Sequence, residues 1–164
     1  MNDRELVDAF LQGWQSTRGE TRAIVECLTD EQFQIRPPGA AWKPLYWQFG
    51  CIGRTQQVYT RALVTGRLDF AFFASPTIPA HDTFVTGGEI ARFLDESEQE
   101  WIEAIRRRRQ DERYTVQWPE KDVPLVWHIA ALQEHERLHH GQFIAYFTLA
   151  GLELPEPFRA NWGL

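Results

Sequence analysis

The sequence predicts an all-α protein, a single antiparallel four-helix bundle with a long connection between its second and third helices. Apolar residues recur every three or four positions through four long segments, and prolines and glycines stand between those segments. The chain has 164 residues, of which 43% are hydrophobic. That length suits one domain with an adequate core, so we expect residues 1–164 to form a single domain.

The four helices are expected at about residues 4–29, 44–65, 88–110 and 124–150. In the first, Leu6, Phe10 and Trp14 begin a stripe on one face. Pro44 suits the first turn of the second helix and Gly66 its end, and Gly151 closes the fourth helix. These boundaries leave no regular period in the segments between the helices.

The connection over 67–86 contains two prolines and no sustained period. A compact domain rarely leaves twenty residues unpacked, so we expect an ordered crossing loop whose Phe70, Phe72 and Phe73 dock on the bundle. Residues 114–118 alternate weakly and allow either a short extended piece or nothing regular. Cys27, on the first helix, is expected in the core.

Composition excludes several classes of protein. The formal net charge of -6 argues against a nucleic-acid partner and against a membrane surface, because both favour a basic face. No window approaches the roughly 18 consecutive apolar residues of a transmembrane helix. With only two cysteines and no signal-peptide pattern at the N-terminus, we expect a cytoplasmic protein.

The strongest functional signal is a group of histidines on the fourth helix: His128, His135, His139 and His140. His135 and His139 are four residues apart, so their imidazoles lie on one face, together with Leu132 and Tyr146. That face is the bundle interior, where two imidazoles need partners. A metal ion would satisfy both, and so would hydrogen bonds within the core.

Neither of the other two histidines can join this pair easily. His140 points about 100° away around the helix, and His128 lies roughly 10 Å along its axis. Two ligands do not complete a catalytic metal site, so a second helix must supply another. The second helix offers the segment Trp47-Gln48-Phe49-Gly50-Cys51.

The segment from His135 to Gln142 reads H-x-x-x-H-H-G-Q and resembles the closing helix of the DinB-like (YfiT-like) metalloenzymes. The stretch from Trp42 to Gly66 is similar to that family's tryptophan-led second helix. The resemblance implies a four-helix bundle with a long crossing connection and a nickel, zinc or iron ion held by three histidines at one end. Characterised relatives include thiol-dependent transferases and isomerases.

The second helix departs from the pattern of one branch of this family, the branch that includes ergothioneine sulfoxide synthases. That branch has P-x-x-W-H-x-G-H, whereas this chain has Gln48 and Cys51 where the two histidines stand. The resemblance implies Cys51, His135 and His139 as metal ligands, because a thiolate can replace an imidazole. Cys51 as a small buried apolar residue is the alternative. Gln48, Glu136 and Gln142 are candidates for orienting the ligands or contacting substrate.

We therefore expect a metal-dependent enzyme of unassigned reaction, with thiol-dependent transferase or hydrolase chemistry at a divalent ion between the second and fourth helices. Its substrate would be a small molecule or a thiol. The alternatives are a metal-free structural or ligand-binding relative and a stress-associated interaction module.

Seven tryptophans and eleven phenylalanines are many for a bundle of this size, and they predict an apolar face beyond the core. The resemblance also implies a two-fold homodimer. We expect the first or third helix to contribute its interface, because the second and fourth face each other around the candidate site.

Overall fold

The computed structural model describes residues 3–39, 41–108 and 115–164. Five α-helices and two short strands follow one another in this part of the chain: α1 (Asp3–Cys27), α2 (Leu45–Thr65), α3 (Gly87–Arg108), β1 (Thr115–Gln117), β2 (Asp122–Pro124), α4 (Leu125–Ala150) and α5 (Glu156–Trp162). The four predicted helices are confirmed to within two residues at every boundary inside the described ranges. The predicted end of the third helix, near residue 110, lies outside them.

The structure adds a hairpin and a fifth helix to the four predicted helices, and the first strand of the hairpin lies within the segment 114–118 that allowed a short extended piece. The chain between α3 and α4 forms a hairpin in which Val116 pairs with Val123, and both side chains are buried. After Gly151 ends α4 in a left-handed conformation, the short helix α5 packs back on α1 and buries Phe158. Neither addition changes the all-α class, since the strands are three residues long.

The directions of the helices differ from the predicted antiparallel arrangement. Thr17 contacts Gln133 and Thr21 contacts His140, so α1 and α4 run parallel. Gln56 donates to the carbonyl of Ser97, and Gly53 lies against Phe93, so α2 and α3 are also parallel. A parallel pair needs a connection that returns along the bundle. The long segment between Gly66 and Gly87 makes that return.

The crossing connection is ordered, as predicted, and is fastened to α2. Arg54 donates to the carbonyls of Phe73 and Pro79. Gly50 lets the backbone of His81 approach the helix, where a Cβ would collide with the His81 carbonyl oxygen. Phe72 and Phe73 pack on the core. The prediction for Phe70 is wrong: this ring is 49% exposed and stacks on the outer side of Phe73.

The core consists of two apolar clusters, one toward each end of the bundle. Trp14 and Trp101 meet at the centre of one cluster, and Phe49 stacks on Phe143 in the other. Cys27 was predicted to be buried and is instead exposed, at the last residue of α1. No described helix has the length and apolar character that crossing a bilayer requires.

His128 is a completely buried core residue and not part of the site. The indole of Trp118 donates to its Nδ1 at 3.2 Å, so that nitrogen carries no proton. Its Nε2 then donates to the carbonyl of Tyr59 at 3.1 Å. Burial lowers the pKa of His128 to about 4, although the bond to Tyr59 opposes this shift.

The buried His128 predicts a loss of stability in acid. The unfolded chain takes up a proton on this imidazole near pH 6.5, whereas the folded protein resists it until about pH 4. The free energy of unfolding therefore falls as pH drops through this window, by about 2 kcal/mol at pH 5 from this residue.

His128→Gln should remove this part of the pH dependence, because glutamine can still donate to Tyr59 and does not titrate. Urea unfolding of both proteins at pH 7 and pH 5 measures the difference. Equal losses of stability in the wild type and the variant would contradict the prediction.

Candidate metal centre

Antiparallel packing of α2 against α4 brings three candidate ligands together, one thiol and two imidazoles. Cys51 Sγ lies 3.8 Å from His135 Nε2, and the ligand atoms of Cys51, His135 and His139 all lie within 4.8 Å of one another. Ligand atoms around a tetrahedral zinc are about 3.3 to 3.8 Å apart, as bond lengths of about 2.0 to 2.3 Å require. A small inward movement of side chains would reach that spacing.

A chain of hydrogen bonds determines the tautomer of His139. The hydroxyl of Tyr146 donates to the carbonyl of Lys43, which can only accept. Tyr146 therefore accepts from the amide of Gln48, at 3.1 Å, and this leaves the Gln48 oxygen facing His139 Nδ1 at 2.8 Å. Nδ1 must carry the proton. The lone pair of Nε2 is then available to a metal ion.

His135 is less completely partnered. Its Nε2 lies 3.4 Å from the hydroxyl of Thr55, in addition to its contact with Cys51. Its Nδ1 is buried and has no hydrogen-bond partner within the described residues. Buried polar atoms are nearly always paired, so this nitrogen shows that hydrogen bonds do not fix the His135 ring as they fix the ring of His139.

Electrostatics leave both imidazoles in the form that binds cations. Burial lowers the pKa of His135. Burial and the neighbouring His135 lower the pKa of His139 to about 3. A hydrogen bond with the side chain of Gln142 opposes this shift. Burial raises the pKa of the Cys51 thiol, although Thr55 and Arg54 counteract it. At pH 7 the histidines are neutral, and a bound cation would stabilise the thiolate.

Glu136 does not orient His135. Its carboxylate points toward α1 and forms a two-pronged ion pair with Arg18, at 2.9 and 3.0 Å, in which both side chains are 1% exposed. Burial raises the pKa of Glu136, but the charge and hydrogen bonds of Arg18 outweigh burial and hold it below its ordinary value. Glu136 therefore anchors α4 next to the site and contacts none of the candidate ligands.

Sequence reasoning missed several residues around the centre. Thr55 and Tyr146 contact the site through His135 and Gln48, and their spacing of four and seven residues from Cys51 and His139 could have suggested them. His81, in the crossing connection, stacks on Trp47 with ring centroids 4.2 Å apart. No sequence signal places His81 there, because it lies in a segment without a period.

Comparison with known proteins identifies the family of this chain. The sequence profile of the DinB superfamily matches residues 14–143, which include all of α2 and the part of α4 that carries His135 and His139. The chain belongs to the DinB superfamily. Its structure resembles the crystal structure of a DinB-like protein from Bacillus cereus ATCC 10987, with a TM-score of 0.70 and 18% sequence identity over 90% of this chain and 95% of that one. No protein with a curated description matches.

In this DinB-superfamily protein, the buried pair beside the site should be sensitive to removal of one charge. We expect Arg18→Met to reduce the free energy of unfolding by about 3 to 5 kcal/mol, because it leaves the Glu136 carboxylate buried without a cation. The double variant Arg18→Met/Glu136→Leu should recover most of that loss.

The exposed pair of Arg107 and Glu103 is the matched control. Arg107→Met should cost less than about 1 kcal/mol. Chemical denaturation of the four proteins tests the prediction, and a double variant as unstable as Arg18→Met alone would refute it.

Proposed function

We propose that this protein is a metal-dependent enzyme whose divalent ion is held by Cys51, His135 and His139. The observation that carries the proposal is the convergence of a thiol and two neutral imidazoles from facing helices, with their ligand atoms within 4.8 Å of one another. Two nitrogens and one sulfur suit zinc best, and nickel or iron are also compatible. Three protein ligands would leave one position for substrate, as in catalytic sites.

A bound ion in such a site would supply Lewis acidity, which lowers the pKa of a bound water or thiol toward neutral pH. The protein's own residues would do the rest. Gln48 holds the His139 ring in its tautomer, and Thr55 places a hydroxyl at His135 that can accept or donate a hydrogen bond. We propose thiol-dependent transfer or hydrolysis of a small molecule as the reaction class.

The stacked rings of Trp47 and His81 lie one helical turn from Cys51 and offer an aromatic surface to the body of a substrate. Both cysteines are free thiols. Free thiols suit a reducing compartment, and we therefore propose a cytoplasmic location.

A second candidate is a metal-free ligand-binding protein. It is supported by the bond between Gln48 and His139 and by the contact between Cys51 and His135, which give these ligands partners without an ion. Gln48 and Cys51 stand where one branch of relatives carries histidines, so this interpretation treats the centre as a remnant. Metal content distinguishes the two candidates.

Elemental analysis of protein purified without an affinity tag should find about one divalent ion per chain. Cys51→Ser and His139→Ala should each lose the ion, because two remaining ligands do not hold it. His81→Gln, which changes a histidine outside the ligand group, should retain it.

Thiol alkylation gives an independent readout. In a Cys27→Ser background, zinc should protect Cys51 from alkylation, and His139→Ala should abolish this protection. An ion-free protein that takes up no added zinc would refute the proposal. If Cys51→His then restored full occupancy, the metal-free interpretation would be correct.

The role of Gln48 has its own test. Gln48→Leu keeps the size of the side chain and removes the acceptor of the His139 Nδ1–H, so we expect zinc affinity to fall about 10- to 100-fold. Gln57→Leu, on the same helix but outside the hydrogen bonds of the site, is the control. Competition with a chelating dye measures both, and equal affinities would show that Gln48 does not support the ligand.

A further inference from the structure

A cleft separate from the metal centre lies toward the C-terminal end of α2. It has a volume of about 490 Å³ and is lined by residues of α2 and of the first part of the crossing connection: Val58, Arg61, Thr65, Arg67, Asp69, Ala71, Phe72 and Ser75. Arg61 is ten residues beyond Cys51, which places it about 15 Å farther along the helix axis. The cleft has the volume of a small-molecule site and contains no candidate metal ligand.

Two arginines in this cleft have no acidic partner. Arg61 lies on α2 and Arg67 follows the end of that helix, and neither forms an ion pair with a carboxylate of the described residues. Asp69, the one carboxylate of the lining, accepts from the backbone N–H of Ala71 at 2.9 Å and caps the 3-10 helix Phe70–Ala74. In a chain of net charge -6, this local excess of positive charge favours an anionic ligand.

Both arginines lie on segments that tertiary contacts hold in place. The guanidinium of Arg61 lies over the ring of Phe72, 5.4 Å from its centroid, in a cation–π contact that joins α2 to the connection. Arg67 comes directly after Gly66, whose left-handed conformation ends α2. The chain there pairs with β1, because the N–H of Gln117 donates to the carbonyl of Gly66 at 2.9 Å. The backbone around the cleft therefore needs little ordering when a ligand binds.

The remaining lining adds an apolar surface to the two charges. Val58 is 1% exposed and lies at the base of the cleft, next to Ala71 and the half-buried ring of Phe72. Each planar guanidinium can donate two parallel hydrogen bonds to two oxygens of an anion. Two such cations match the charge of a phosphate monoester, about -1.5 to -2 at pH 7, better than that of a monocarboxylate. This combination fits a phosphate group attached to an apolar or aromatic body.

We propose that the cleft binds a small organic phosphate. Arg61 and Arg67 hold the phosphate group between them, and the apolar body of the ligand lies against Val58. The ring of Phe72 contacts the same body. A bound ligand would tie α2 to the crossing connection, the segment that also brings His81 to the edge of the metal centre.

NMR titration of the full chain with phenyl phosphate tests the class of ligand. The backbone amide signals of residues 67–75 should shift and saturate, with a dissociation constant of about 1 mM or lower. Inorganic phosphate lacks the apolar body and benzoate carries less charge, so each should bind at least about 5-fold more weakly. If either bound as tightly as phenyl phosphate, the assignment to an organic phosphate would be wrong.

Substitutions test the residues that hold the phosphate. Arg61→Gln and Arg67→Gln should each weaken the binding of phenyl phosphate at least about 10-fold, because each removes one charge and its pair of donors. Arg92→Gln makes the same change of charge at an exposed position on α3 and should leave the affinity unchanged. Circular dichroism checks that the variants are folded.

His139→Ala separates this cleft from the metal centre, where a bound ion could also attract phosphate. Binding in the cleft should be the same in this variant and in the wild type, and the same with and without a metal ion. Failure of the proposed function therefore leaves this result unaffected. Binding that is lost in His139→Ala but retained in Arg61→Gln and Arg67→Gln overturns the inference, and so does a wild type whose signals at 67–75 do not shift.

Discussion

One buried arginine connects all four long helices. Arg18, on α1, forms its ion pair with Glu136 on α4, donates to Gln56 on α2 at 2.8 Å and donates to the carbonyl of Leu94 on α3 at 3.3 Å. A buried charge is costly unless its donors are satisfied, so this side chain tolerates only one relative placement of the helices. Thr21 and His140 extend the same network toward α5. The position of α4, and with it that of His135 and His139, follows from this arrangement.

Two kinds of interaction hold the residues around the candidate centre. On the core side, the network of Arg18 and Glu136 holds α4. On the outer side, the hydrogen bonds from Tyr146 through Gln48 hold the ring of His139. Cys51 has neither support and lies where α2 meets the crossing connection, next to Gly50 and the backbone of His81. The ring of His139 is thus the preorganised part of the site, and the ring of His135 and the thiol of Cys51 are the parts that can adjust to a ligand.

The crossing connection has a structural consequence for the site. Because it carries the chain back along the bundle, α2 runs parallel to α3 and remains antiparallel to α4. Cys51 therefore meets His135 while Gln48 meets His139. The same route brings His81 over Trp47 at the edge of the site. In a bundle of simple up-and-down hairpins the neighbours of α2 would be different, and this group of side chains would not form.

The sequence by itself determined the positions of the four helices, the apolar faces and the i, i+4 histidine pair, because these depend on local periodicity and on proline and glycine. It also led to Cys51 as the third candidate ligand, through the resemblance of two helices to a family. Only the tertiary structure decided the helix directions, the hairpin, the exposure of Phe70 and Cys27, and the partner of Glu136. Each of these depends on which distant segments meet. A glutamate beside a histidine is expected to serve that histidine, but a buried arginine 118 positions earlier in the chain offers a full opposite charge, and that interaction prevails.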